Sequence, residues 1–459
     1  MPKWTVLEYL RNNPDEYMQM VKRRGLDESI VREAIEIDKA YRSKLREVEN
    51  LRREHNSLTK ELSKENNQEK KNELLRKAKE ILQLLEEKEK EVSEAERNWY
   101  DSLKKLPNIL APDVPYGTSD EDNLPVKFWG RPKVTTDKLE EFKKQTEKWG
   151  FKVDFDLVEN KSFIGHADML EKVLNMADTN QAAKVAGSRF FYLIGDIVWL
   201  DFAISLYALD VITRKGFIPI IPPYMLRTEV LEGALDYSSF KDMIYKIENE
   251  DLNLIGTAEH PLMGLAYDNP IREQDLPLKL VGWSPCFRRE AGAGNRDLKG
   301  IFRVHQFHKV EQFVFAHPDN SWKFLDEMVA NTEEILQGLG LPYRVVNVVS
   351  GELGLPAAKK YDIEVWMPAQ GKYREIASIS QVLDWQAFRA NLTYIKASDG
   401  RREYLHTLNG TGIPTTRAIS AIVENFQDEE GNVAIPSVLK KYLENIPGAP
   451  TDVLKPRKR

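Results

Sequence analysis

The sequence predicts an α+β fold in two parts, an antiparallel coiled-coil hairpin followed by a domain in which strand and helix patterns mix. Three observations carry that expectation. Apolar residues in the first hundred positions recur on alternating three- and four-residue steps, a spacing that marks a coiled coil rather than a helix on a globular core. Near residue 106 the composition changes from Glu, Lys, Arg and Leu to Pro, Asp and Asn. Beyond that point, residues 301–315 (IFRVHQFHKVEQFVF) alternate as a long strand does.

Taken in order, Ala34, Ile37, Tyr41, Val48, Leu51, Leu58 and Leu62 form a first seam, with Lys44 and His55 in its gaps. Ala78, Ile81, Leu85, Val92, Ala95 and Trp99 form a second, with Lys88 in its gap. The polar stretch 63–71 between them implies a hairpin. Each helix of this arm (about 30–99) would reach on the order of 40 Å. Cations including Arg52, Arg53, Lys60, Lys64, Lys70 and Lys71 gather near its tip, interleaved with acids. Charge alone leaves two readings open, a spacer or dimerisation device and an RNA-binding rod. The expected divisions are residues 1–106 for the part carrying the arm, 107–132 for a linker and 133–459 for the remainder.

Composition narrows the class. A chain of 459 residues exceeds one ordinary core. Its 42% apolar and 30% charged residues fit a soluble globular protein with a charge-rich part. No run approaches the roughly 20 apolar residues of a membrane helix, and the opening MPKWTVLEYL lacks a signal-peptide pattern. The single cysteine, Cys286, permits no internal disulfide and no multi-cysteine zinc site, so a reducing cytoplasm is the expected location. The net charge of −6 shows no chain-wide basic excess. Any RNA contact must therefore rest on local patches and on shape.

In the second part, residues 197–215 read as an amphipathic helix stopped by Gly216. Residues 217–223 (FIPIIPP) follow as an extended segment whose prolines suit only an edge or an interface. Residues 287–290 (FRRE) close another strand-like run, with Arg288 and Glu290 pointing the same way. The Gly-rich, basic loop 291–300 (AGAGNRDLKG) is either a plain hairpin connection or a mobile contact for ATP or nucleic acid. Along 301–315 the even positions suit a core, whereas Arg303, His305, Phe307, Lys309 and Glu311 share the other face. Arg303, Phe307 and Glu311 would stand about 13 Å apart in turn, a scale that suits an ATP and an amino acid spread over one sheet. His305 and His308, three apart, would face opposite ways, and the other histidines lack metal-ligand spacing.

These residues carry a family resemblance. FRRE, its loop and RVHQFHKVEQ resemble motif 2 of class II aminoacyl-tRNA synthetases, in the form found in seryl-tRNA synthetases. GFIPIIPP resembles motif 1, with Pro223 in the place of its signature proline, and residues 408–425 (LNGTGIPTTRAISAIVEN) resemble motif 3, with Arg417 as its arginine. With the arm, the likeness covers nearly the whole chain. The loop departs from the commoner bacterial wording, FRSE with a Ser-Phe-Gly loop.

The resemblance implies an antiparallel sheet flanked by helices, and a homodimeric serine–tRNA ligase. Such an enzyme activates serine with ATP to seryl-adenylate and transfers it to tRNA(Ser), or to tRNA(Sec) where present, with the arm binding the tRNA. Arg417 is implied to stack on adenine and meet the γ-phosphate, with Phe307 on the other side of the ring. Arg288 would hold the α-phosphate and the serine carboxylate, Arg303 would face the distal phosphates, and Glu290 would orient the adenine end. Arg289, Val304, Ile376 and Ala377 complete the implied ATP contacts. Glu375 and Ser378 are implied Mg²⁺ ligands, and because residues three apart face opposite ways on a regular strand, the chain must bend after Glu375. Thr257, Ala258, Glu259, Glu311, Asn409 and Thr411 are implied to meet serine, the last two flanking Gly410 in a tight turn. Independently, Arg417 lies in the opening turn of a predicted helix, where the dipole disfavours a cation. A placement that costs stability suggests use. Two other readings stand beside this one: a ligase loading another amino acid or carrier, and a non-catalytic RNA-binding protein, against which Arg288, Glu375 and Arg417 argue.

Overall fold

The computed structural model describes residues 2–159, 162–291 and 297–458. The chain divides into two compact units, Thr5–Ile109 and a second made of Met1–Trp4 with Leu110–Arg459.

In the first unit, α1 (Thr5–Asn12) and α2 (Pro14–Arg23) lead into α3 (Ser29–Lys64) and α4 (Gln68–Lys104). Pro14 opens α2, where its missing N–H costs nothing. The long helices have 36 and 37 residues, about 54 Å each at 1.5 Å per residue. They exceed the expected length because residues 65–67 alone break the pair. The Asn67 side chain accepts from the Glu69 and Lys70 N–H groups, so the polar residues that follow begin a helix instead of prolonging a loop. At the base of the hairpin Tyr41 stacks on Trp99, ring centroids 4.8 Å apart. Asp38, buried beside them, accepts from the Trp99 indole at 2.9 Å and pairs with Arg11 and Arg42. The charged seam residues are answered across the pair: Lys44 meets Glu91 at 2.7 Å, and Lys88 meets Glu47 at 3.5 Å. Toward the tip Leu51, Leu58, Leu62 and Ala78 are only half-buried, as expected where two helices cover only each other's seam.

The second unit is built on one sheet. Its strands are β1 (Leu124–Trp129), β2 (Ile218–Ile220), β3 (Leu278–Phe287), β4 (Gln306–Ala316), β5 (Tyr343–Asn347), β6 (Lys359–Met367), β7 (Lys372–Leu383) and β8 (His406–Pro414). They are ordered β1-β5-β6-β7-β8-β4-β3-β2. Every neighbouring pair is antiparallel except β2 with β3. The helices that matter to the site are α5 (Asp196–Thr213), α6 (Glu259–Met263), α7 (Trp322–Gly338) and α8 (Thr415–Asn425). Ile197, Leu200, Ile204, Ala208 and Val211 of α5 are buried, as their spacing predicts, in one core with Met328 of α7, Ile419 of α8 and Val310 and Val314 of β4. β2 is the sheet's edge, where Pro219 breaks no ladder on its free side. Trp4 stacks on Phe388 at 3.9 Å and holds the start of the chain in this unit. No helix among the described residues is long and apolar enough to cross a membrane.

Two expectations need correction. Residues 107–132 are not a linker throughout, because β1 pairs with β5 and forms the other edge of the sheet. Pro125 hid this strand from its sequence pattern, and an edge tolerates it. The long strand begins at Gln306 rather than Ile301. Only half of the next pair in register survives before Gln306: the His305 carbonyl still accepts from Arg288 N–H at 2.9 Å, but the His305 N–H leaves for Arg189 O at 3.1 Å, and residues 301–303 are bends. Strand spacing therefore does not extend back to Arg303.

Candidate active site

Along β4 the alternation holds from residue 307 onward. Val310, Gln312 and Val314 face the helices, where the Gln312 amide donates to Met328 O and Thr332 Oγ1, each at 3.2 Å. Phe307, Lys309 and Glu311 face the other way, into an open cleft. Glu259 and Thr257 reach this cleft from the start of α6, Arg288 and Glu290 from the end of β3, and Arg303 and Val304 from the segment before β4. Glu375, Ile376 and Ser378 reach it from β7, Asn409 and Thr411 from β8, and Arg417 from α8. Three residues of the implied set send no side chain there. Arg289 is exposed. Ala377 is buried in the core, and Ala258 is buried with its methyl against Gly282.

One end of the cleft is small, polar and acidic. Glu259 accepts from Asn409 Nδ2 at 2.9 Å and Gln386 Nε2 at 2.8 Å. Burial, with Glu311 nearby, lifts its carboxyl to about 7. Glu311 pairs with Lys309 at 2.5 Å, both side chains almost fully buried, and the Thr411 hydroxyl stands 3.4 Å from it. Lys309 thus neutralises one of two acids that share a confined space. Asn409 and Thr411 are not in a tight turn: they lie on β8, opposite Phe313 and Glu311, two apart and so on one face. Gly410 is required between them, because a Cβ there would fall 2.9 Å from Met328 Cε and 3.0 Å from Ile379.

The other end is lined by guanidinium groups and rings. Arg288 is held by its Nε–H, which donates to Gly256 O at 3.1 Å, and lies 5.4 Å from the Phe307 ring centre. Glu290 sits in the left-handed region at φ 50° and accepts from Arg303 at 2.9 Å. Arg417, third residue of α8, lies 5.1 Å from the Phe302 ring centre and binds the Glu375 carboxylate at 3.0 Å. The helix-start cation expected from the sequence is therefore answered by an acid from β7. Burial works against ionisation of Glu375, but Arg417 and Lys360 outweigh it and hold the carboxyl below the ordinary range.

The bend expected after Glu375 is a β-bulge. Glu364 faces Glu375 and Ile363 faces Ala377, leaving Ile376 as the extra residue. One inserted residue reverses the alternation, so Glu375 and Ser378, three apart, both line the cleft.

Lys309, Phe302 and Gln386 belong to this arrangement and were not assigned from the sequence. Lys309 was legible there, since it shares the face of Phe307 and Glu311. Gln386 was not, because nothing local ties it to Glu259. Of the Gly-rich loop, residues 292–296 lie outside the described residues. Asp297 beyond them binds Arg374 at 2.7 Å. His305 and His308 have separate partners, Arg288 O and Asp201, and among the described residues no three His, Cys, Asp or Glu side chains are grouped to hold a metal.

This sheet and cleft are those of a class II aminoacyl-tRNA synthetase core, and residues 243–426 match the family model for the tRNA synthetase class II core domain (G, H, P, S and T). Residues 7–110 match the seryl-tRNA synthetase N-terminal domain. The chain is 56% identical over 456 residues to the serine–tRNA ligase of Hyperthermus butylicus, covering 99% of each. Its structure is similar to that of seryl-tRNA synthetase from Pyrococcus horikoshii complexed with ATP, at a TM-score of 0.92 and 45% identity over 98% of this chain and 99% of that one. It is also similar to the cytoplasmic serine–tRNA ligase from Naegleria fowleri in complex with AMP, at a TM-score of 0.81 and 34% identity over 98% and 97% of the two chains. The chain belongs to the seryl-tRNA synthetase family.

Proposed function

We propose that the cleft activates serine with ATP, giving seryl-adenylate and pyrophosphate, and then passes the seryl group to the 3′ end of tRNA(Ser). The observation that carries this reading is one sheet face on which a serine-sized acidic end adjoins Arg288 and Arg417. Glu259 takes the serine ammonium, and Glu311 with Thr411 takes the hydroxyl. Arg288 lies between the serine carboxylate and the α-phosphate. Neutralising both lets a carboxylate oxygen attack phosphorus in line, the new O–P bond forming as the bond to pyrophosphate breaks. No protein nucleophile is needed. Arg417 and the rings of Phe302 and Phe307 hold the adenine, Glu290 orients its exposed edge, and Arg303 takes the distal phosphates.

Glu375 and Ser378 offer the hard oxygen donors that suit Mg²⁺, and beside them Asp362 Oδ1 is a buried oxygen without a hydrogen-bond partner among the described residues. The residues fit such an ion. When bound, it would neutralise phosphate charge.

The arm binds the tRNA in this reading. Arg53, Lys60, Lys64, Lys70, Lys71 and Lys79 near its tip make no ion pair among the described residues, whereas Arg52 meets Glu89 at 2.7 Å. The functional unit is a homodimer: Phe202 and Leu206 on α5 and Ile218 and Ile221 beside it are 44–73% exposed, an apolar surface at motif 1. A cytoplasmic location is compatible with the lone, buried Cys286. The test is ATP–pyrophosphate exchange with each standard amino acid. Serine should support exchange, and exchange with another amino acid but not with serine would overturn the reading.

A further inference from the structure

Asp362 has no role in the chemistry described so far, yet its surroundings are unusual. It sits on β6 directly opposite Ser378 of β7, as Glu364 sits opposite Glu375. Four oxygen-bearing side chains thus share one face of two adjacent strands. Two of the carboxylates are tied down: Glu364 by Arg344 at 2.5 Å and Glu375 by Arg417 at 3.0 Å. Asp362 has no such tie. It is 8% exposed, Ser378 stands directly across the strand pair from it, and its Oδ1 has no hydrogen-bond partner among the described residues. The cation nearest along its own strand, Lys360, donates instead to Glu352 O at 2.8 Å. Asp362 also lines the polar cavity that continues from the cleft past Glu375, Arg303 and Arg417.

A buried carboxylate oxygen left bare costs stability unless something completes it. Residues that orient metal ligands and receive metal-bound water stand in this relation to the ligands they serve.

We propose that Asp362 is a positioning residue for the divalent cation. One oxygen fixes the Ser378 hydroxyl so that its lone pair turns toward the ion, and the bare Oδ1 accepts from water on that ion. This rests on the reading of Glu375 and Ser378 as metal ligands. The roles differ in kind: Glu375 contacts the ion directly, and Asp362 acts through Ser378 and water.

The test uses the full-length chain and its Asp362→Asn and Glu375→Gln variants. Mn²⁺ binding is followed by electron paramagnetic resonance with a non-hydrolysable ATP analogue, serine binding by calorimetry, and metal-free stability by thermal unfolding. Asp362→Asn should weaken Mn²⁺ binding about 10- to 100-fold and raise the Mg²⁺ concentration for half-maximal exchange by the same factor. Serine affinity should not change, and the metal-free protein should be no less stable, because an unpaired buried carboxylate has been removed. A folded Asp362→Asn variant with unchanged Mn²⁺ affinity overturns the proposal if Glu375→Gln has lost the ion. If Glu375→Gln also keeps it, the metal reading of Glu375 and Ser378 falls first. Should Asp362→Asn not fold, Asp362→Ser, smaller and still polar, is read for the same two outcomes.

Discussion

One guanidinium nitrogen of Arg417 donates to both the carboxylate and the backbone carbonyl of Glu375, each at 3.0 Å. The contact locks the first turn of α8 to β7 just before its bulge. It joins the arginine assigned to the nucleotide with the acid assigned to the metal. The cation alone would be badly placed at a helix start, and the acid from β7 answers it.

Arg417→Ala should therefore cost exchange activity far more than stability. Removing a preorganised donor from phosphates and adenine should lower serine-dependent exchange by about 10²- to 10³-fold or more. The partner left behind, Glu375, has a side chain 49% exposed, so water can solvate it and the loss of stability should be small. Exchange kinetics and circular dichroism check the two halves, and near-normal exchange would return Arg417 to a structural role.

Glu259 makes serine binding depend on pH. Its carboxyl is raised to about 7, and the serine ammonium requires it ionised. Affinity should be full above that value and fall as pH drops through it, by about tenfold between pH 8 and pH 6. Near pH 6 binding should release a proton, seen as buffer-dependent heat in calorimetry. A flat profile would remove Glu259 from the ammonium site. Glu259→Gln should abolish the pH dependence and weaken binding throughout.

Alanine should be rejected more strongly than threonine. Without a hydroxyl, alanine cannot complete the hydrogen bonding of Glu311 and Thr411 in a buried site, and such sites discriminate by roughly 10⁴-fold or more. Threonine keeps the hydroxyl and must be excluded by shape. The values of kcat/KM for the three amino acids test this, and equal activation of alanine and threonine would contradict it.

Replacing residues 32–98 by a short flexible loop should separate activation from transfer. The described residues assigned to ATP and serine all lie in the second unit, and closing the arm at its base costs little loop entropy. Serine-dependent exchange should survive, while aminoacylation of tRNA falls steeply. Binding of tRNA by the intact chain should weaken as salt rises. An armless protein that is monomeric yet still charges tRNA when concentrated would favour the spacer reading.

Several features of this protein could be read along the chain because residues a few positions apart create them. The seam from Ala34 to Leu62, the alternation of Phe307, Lys309 and Glu311, and the entry of Arg417 into a helix all depend on local periodicity. Even the bend after Glu375 follows from spacing alone, once both residues are required on one face. Other features depend on strands and side chains that meet only in the folded unit. Residues 301–305 keep an alternating pattern but leave the ladder, where the His305 N–H turns to Arg189 instead of the neighbouring strand. β1 is a strand because β5 offers it an edge, although its own sequence argues otherwise. Asn409 and Thr411 resemble a turn until pairing with Glu311 and Phe313 extends them. The partners of buried carboxylates follow the same rule: Gln386 on Glu259 and Lys309 on Glu311 are chosen by where the sheet brings their backbones. A carboxylate out of water is tolerable only beside a donor or a cation, and sheet register, bulge and helix docking decide which one it finds.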